Sequence, residues 1–215
     1  VIGRLGRGGM GVVDLAVGPD GGRVALKRLA LHGSTAELAD ARARVRREAE
    51  VLAHLHHPAI VELLEVVDDG DDVVLVMAHL PGGSLADRLL AHGPLDAAEV
   101  QAIAAQLLPA LAAAHRAGVV HRDVKPSNVL FDAAGRAHLS DFGVARLHGA
   151  TAGLTHAGTV VGTPRFMAPE QARGEPVGPP ADVFALGATL LYALTGSGPW
   201  GDGDARAVLR RAADS

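Results

Sequence analysis

The strongest constraint on the fold is a change of pattern at Pro81-Gly82-Gly83. Before it the chain reads as short β-branched runs broken by Gly, Pro and Asp, and after it as long Ala- and Leu-rich stretches. Val12–Val17 and Arg23–Leu29 flank Gly18-Pro19-Asp20-Gly21-Gly22, residues that supply a preset turn and tolerate positive φ, so a hairpin is expected. Ile60–Val67 and Val73–Met77 repeat the arrangement across the acidic run Asp68–Asp72. Between the two hairpins, Thr35–Leu55 carries Val45, Leu52 and Leu55 near helical spacing and stops at Pro58, which predicts one amphipathic helix. Beyond Gly83, Ser84 is placed to cap a helix through Ala91, and Asp96 a longer one through Arg116. Val183–Leu194 reads as a buried helix, short of the roughly 20 residues that a bilayer span needs. The pattern predicts an α+β chain with a sheet-plus-one-helix part over residues 1–80, a mainly helical part over 81–215, and a cleft between them.

Composition narrows the class. The 215 residues are 48% hydrophobic and 20% charged, enough for a substantial core, and a formal net charge of -4 offers no basic stripe, so no nucleic-acid partner is expected. There is no cysteine, which removes disulfides and thiolate metal sites and favours a reducing, cytoplasmic setting. A chain that opens on Val1 and runs straight into a strand-and-turn signal is expected to be a piece of a longer one.

Gly6-x-Gly8-x-x-Gly11-x-Val13 lies at the start of the first hairpin, where glycines let the backbone approach phosphates and offer N–H donors. A dinucleotide fingerprint would need a helix to begin inside the motif, whereas a β run continues from Val12. Lys27 ends the apolar run Val24-Ala25-Leu26 and so needs a partner, for which Glu48 on the following helix is the candidate; each alone would read as a solvated surface charge. The most specific constellation is His121-Arg122-Asp123-Val124-Lys125-Pro126-Ser127-Asn128, then Asp141-Phe142-Gly143, then Ala168-Pro169-Glu170.

In this order these motifs resemble the protein kinase superfamily over nearly the whole chain. Gly8-Gly9-Met10-Gly11 and Gly162-Thr163-Pro164-Arg165-Phe166-Met167-Ala168-Pro169-Glu170-Gln171 resemble bacterial serine/threonine kinases of the actinobacterial type. The resemblance implies a two-lobed fold and transfer of the γ-phosphate of ATP to Ser or Thr of proteins, with Mg²⁺ or, alternatively, Mn²⁺. It implies that Asp123 orients the acceptor hydroxyl, that Lys125 offsets phosphate charge, and that Asn128 and Asp141 ligate the metal. Lys27 paired with Glu48 would meet the phosphates. Leu5, Gly6, Gly8, Gly11, Val13, Ala25, Met77 and Leu130 would surround the nucleotide, with the backbone of Ala78 and Leu80 reading the adenine edge. At Ala78-His79 the family often has Glu-Tyr, a departure that main-chain contacts tolerate.

The same resemblance implies regulation. Arg122 would bind a phosphorylated activation loop, with Thr155 and Thr159 as autophosphorylation sites, Thr163 in the substrate pocket, and self-association for phosphorylation in trans. Leu52, His121 and Phe142 would stack as an apolar spine. Relatives often carry a membrane anchor beyond the kinase, though none is expected within these residues. The family's C-terminal part normally continues past Ser215 and supplies an arginine for Glu170, which is not identifiable here. A pseudokinase that binds nucleotide without chemistry is the alternative, and the retained Lys27, Glu48, Asp123, Asn128 and Asp141 do not favour it. His54, His56 and His57 before Pro58, and the acidic run Asp68–Asp72, read as structural or solvated rather than metal-binding.

Overall fold

The computed structural model describes the chain apart from residues 9–10, 30–34, 71, 143–152, 155–159 and 162–163. The described residues gather into two compact units: Val1–His56 with Val61–His79, and His57–Ile60 with Leu80–Ala145 and Ala150–Ser215.

The first unit holds strands β1 (Gly3–Gly8), β2 (Gly11–Val17), β3 (Arg23–Leu29), β4 (Leu63–Asp69) and β5 (Asp72–Ala78) and helix α1 (Thr35–Ala53). The strands form one antiparallel sheet in the order β1-β2-β3-β5-β4. Both expected hairpins are present, and the first closes with Gly18 N–H donating to Gly22 O at 2.7 Å. β4 starts at Leu63 rather than Ile60, because Ile60, which belongs to the second unit, turns back to His57 O and bridges Leu139 of that same unit. Val45 and Ala49 form the buried stripe of α1, and Glu48 and Leu52, half-buried, continue it at helical spacing. The acidic end of β4 is more than solvated: Asp69 pairs with Arg28, and Asp68 with Arg46 of α1.

The second unit holds α2 (Leu85–His92), α3 (Ala97–Arg116), the hairpin β6 (Val129–Phe131) and β7 (Ala137–Leu139), the small pair β8 (Gly153–Leu154) and β9 (Val160–Val161), and helices α4 (Pro169–Ala172), α5 (Pro179–Thr195) and α6 (Ala205–Ala213). Ser84 and Asp96 cap α2 and α3 as their positions predict, each within a reciprocal capping box, with Asp87 and Glu99 returning to the cap N–H at 2.9 and 3.2 Å. Ile103, Leu107, Ala110, Leu111 and Ala114 form the buried stripe of α3, which packs on α5 and β7. By length and composition alone α3 is apolar enough to cross a membrane. α5 is buried on one side only: Ala181, Ala185, Leu186 and Ala193 are covered, whereas Val183, Leu191 and Leu194 are exposed.

Candidate active site

Residues 121–125 lie on an irregular segment between α3 and β6, and irregular backbone needs outside partners for its polar groups. Asp182, in the first turn of α5 and 1% exposed, supplies them. Its carboxylate accepts from His121 N at 2.8 Å, from Arg122 N at 2.7 Å and from His115 Nε2 at 2.7 Å. Arg122 is thereby held at φ 68, a left-handed conformation that a non-glycine residue adopts only when its surroundings impose it. Gln171 of α4, also buried, donates to Arg122 O at 2.9 Å and accepts from Ala168 N at 3.2 Å, tying Ala168-Pro169-Glu170 to the same loop.

His121 is fully buried. Its Nδ1 accepts from Asp123 N at 3.3 Å, so the ring proton sits on Nε2, which donates to Ser140 O at 2.8 Å. The ring packs on Phe142 with centroids 4.4 Å apart. One imidazole therefore links the loop to the segment that ends in Asp141.

Asn128 makes the second link. Its Nδ2 donates to Asp123 O at 2.8 Å and Oδ2 at 3.1 Å, while its own carbonyl accepts from Ser140 N at 2.9 Å and Ser140 Oγ at 3.2 Å. The β6-β7 register, Val129 opposite Leu139, continues into this pair and sets Asp141 one residue beyond it. Asp141 also has positive φ, 65. The turn of that hairpin is fixed by Asp132, whose carboxylate accepts from Arg136 N and Ala134 N at 2.9 Å each, and these bonds hold its carboxyl well below the ordinary range.

Lys125 Nζ lies 2.8 Å from Asp123 Oδ2. With Asn128 on the same oxygen, Oδ1 of Asp123 carries no bond among the described residues. Asn128 Oδ1 receives only a 3.5 Å contact from Ser127. Leu130 is half-buried on β6, beside the Gly82-Gly83-Ser84 turn that follows Leu80: Gly82 N donates to Phe131 O at 2.8 Å, and Ser84 bridges Leu130.

In the first unit, strand register brings Gly6 opposite Val13, Val13 opposite Lys27, and Ala25 opposite Met77. Alternation then places Val13, Ala25, Lys27 and Met77 on one face of the sheet. Lys27 is 3% exposed. Leu5, by contrast, is exposed on β1. Ala78 N–H is taken by Glu62 O at 3.0 Å, so a contact from Ala78 to a nucleotide would have to use its carbonyl. Gly11, at φ 125, has no room for a Cβ, which would stand 2.2 Å from Arg28 O.

Thr155, Thr159, Thr163 and Gly143 lie outside the described residues. His54 and His57 have local roles, Nδ1 of His54 with Glu50 O at 2.6 Å and Nδ1 of His57 accepting from Ala59 N at 3.1 Å. Asp182, His115 and Gln171 are the supporting residues that sequence reasoning missed. A lone carboxylate in Ala181-Asp182-Val183-Phe184-Ala185-Leu186 was the available signal, because a charge inside an apolar helix must be satisfied by something.

A sheet-and-helix unit and a helical unit carrying an Asp-x-Lys-x-x-Asn loop tied to a second aspartate are the parts of a protein kinase domain. The chain matches the protein kinase domain over residues 1–215 and belongs to that family. It is similar to the serine/threonine-protein kinase PkaB of Streptomyces coelicolor, 43% identical over 96% of this chain and 51% of that relative. It is also similar to the serine/threonine-protein kinases PknD and PknK of Mycobacterium tuberculosis. PknD is 41% identical over 91% of this chain and 29% of its own length, and PknK 44% identical over 89% and 17%. The chain thus spans about half of the first relative and less of the others.

Proposed function

We propose that this chain is the catalytic part of a serine/threonine-protein kinase that moves the γ-phosphate of ATP to Ser or Thr hydroxyls of proteins. The observation that carries the reading is Asp123, gripped through Oδ2 by Lys125 and Asn128 with Oδ1 left as an acceptor. Asp123 accepts the hydrogen bond of the substrate hydroxyl and takes its proton as the new P–O bond forms and ADP leaves. Lys125 neutralises charge on the transferring group. The names of the relatives, all serine/threonine-protein kinases, support the acceptor type.

Asn128 Oδ1 and the Asp141 carboxylate form an all-oxygen donor set, which fits Mg²⁺, with Mn²⁺ as the alternative. When bound, that cation would neutralise phosphate charge. Lys27, with Glu48 as its partner, is assigned to the phosphates, and Leu5, Gly6, Gly8 and Gly11 to the nucleotide. Val13, Ala25, Met77 and Leu130 are assigned to adenine, together with the backbone of Ala78 and Leu80. Arg122 Nε is buried and lacks a partner among the described residues, which supports a role in receiving a phosphate on Thr155 or Thr159. Thr163 is assigned to the acceptor pocket. Use of ATP and the absence of cysteine support a cytoplasmic location, and self-association would serve phosphorylation in trans.

Radiolabel transfer from γ-labelled ATP to the chain itself or to a generic protein, compared with Asp123→Asn, tests the reading. Nucleotide binding without transfer in the unsubstituted chain would overturn it. Mass spectrometry finding Thr155 and Thr159 unmodified in active protein would remove the regulatory part.

A further inference from the structure

The chain carries twenty Lys and Arg residues, and only two of them, Lys27 and Lys125, are lysines. The two side-chain types share a charge but not a chemistry: an ammonium can shed a proton and attack a carbonyl, whereas a guanidinium stays protonated in proteins. With no cysteine present, stable acylation of a side-chain nitrogen or sulfur has two addresses in these 215 residues. Both are residues assigned to phosphate.

The two differ in access. Lys27 lies inside β3, 3% exposed and with its side chain engaged, so a donor cannot reach its nitrogen without opening the sheet. The Lys125 side chain is 20% exposed and lines an open groove of about 570 Å³ within the second unit, together with Ser127, Arg165 and Tyr192. Two cations face that space and no carboxylate lines it, so a small anion is drawn in rather than repelled. Asp123 Oδ2, 2.8 Å from Lys125 Nζ, is an acceptor for the proton that the nitrogen must lose.

From this we infer that Lys125 is an acylation site for small anionic donors of the acyl phosphate class, and that its acylation switches phosphoryl transfer off. The ammonium gives up one proton, and the amine attacks the carbonyl carbon of the donor. The C–O bond to phosphate breaks, and the new C–N bond becomes an amide as the nitrogen sheds a second proton. One of the two protons ends on the released phosphate, and the other reaches water by way of Asp123. The product has no charge to set against the transferring phosphate and no cation to pair with Asp123. The switch rests on the kinase reading, whereas the modification itself does not.

The test is incubation of the protein with acetyl phosphate, followed by peptide mapping of both lysines and by transfer from labelled ATP. Acetyl should accumulate on Lys125 while Lys27 stays unmodified. Transfer should fall in step with Lys125 occupancy, to a loss of at least about a hundredfold, the scale of removing one charge-stabilising donor from a reaction centre. Neutral hydroxylamine, which cleaves acyl esters and leaves amides, should not restore it. Whatever transfer Lys125→Arg retains should be indifferent to acetyl phosphate, because the cation stays and the nucleophile is gone. Acetyl on Lys27 ahead of Lys125, or on neither, overturns the assignment. So does a loss that hydroxylamine reverses, which would place the acyl group on a hydroxyl such as that of Ser127 or Tyr192. Lys125 acetylated with transfer undiminished overturns the switch. If the untreated protein labels neither itself nor a generic protein, the kinase reading fails and the switch with it, while the map of the two lysines still decides whether Lys125 is acylated.

Discussion

Asp182 accepts the backbone N–H of Arg122 at 2.7 Å, and that bond joins the first turn of α5 to the residue immediately before Asp123, the proposed proton acceptor. The same carboxylate binds His121 N and His115 Nε2, so a single buried anion carries three donors. Each bond to a charged acceptor is worth about 1.5–3 kcal/mol, and an amide cannot accept all three. Asp182→Asn should therefore cost about 3 kcal/mol in urea unfolding and slow phosphoryl transfer at least tenfold, with nucleotide affinity near that of the unsubstituted chain. Unchanged transfer in a destabilised protein would mean that the carboxylate supports the fold and not the geometry of Asp123.

Ser84 and Asp87 give a pH-dependent prediction. The Ser84 hydroxyl donates to the Asp87 carboxylate at 2.6 Å and its N–H at 2.9 Å, and these bonds hold Asp87 below the ordinary 3.8. A depressed carboxyl contributes stability that is complete above its unfolded value and is lost as pH falls through the folded one. Ser84→Ala should lose about 1 kcal/mol at neutral pH through the missing cap. The gap between the two proteins should narrow as pH drops below about 4. Denaturation series from pH 7 downward measure it, and a gap that widens on acidification would contradict the bonding.

Long periodic elements and contiguous motifs were legible, and what tertiary packing imposes was not. α3 could be read because its cap, Asp96, and its apolar stripe, Ile103 to Ala114, agree. The roles assigned to Asp123, Lys125 and Asn128 came from one contiguous run of sequence. β1 escaped because Gly3, Gly6 and Gly8 depress strand propensity, and only pairing with β2 makes it a strand. β6 and β7 are three residues each, too short for any period, and exist because Asp132 closes their turn. Asp182 stands about sixty positions from Arg122, and no local pattern announces such a bond.

Gly11 should prove unreplaceable where Gly3 is not. A Cβ at Gly11 would collide with Arg28 O at 2.2 Å on backbone held at φ 125, whereas one at Gly3 meets nothing within 4 Å. Gly11→Ala should destabilise the sheet by about 2–3 kcal/mol and weaken ATP binding, while Gly3→Ala should change stability by under about 1 kcal/mol. Equilibrium unfolding with nucleotide titration separates the two. Equal effects at both positions would mean that the first hairpin accommodates a side chain by moving.

Asn128 has two functions that substitutions can pull apart. Its amide nitrogen holds Asp123, and its amide oxygen is the proposed metal ligand. Asn128→Ala removes both, so transfer should fall by about a hundredfold or more and half-maximal rate should need more Mg²⁺. Asn128→Asp keeps an oxygen for the metal but sets a carboxylate against the Asp123 carbonyl and carboxylate, so the rate should fall while the Mg²⁺ midpoint stays at or below the original value. Transfer rates against Mg²⁺ concentration for the three proteins give both quantities. If all three share one midpoint, Asn128 does not hold the cation, and its whole contribution is the pair of hydrogen bonds that aim Asp123.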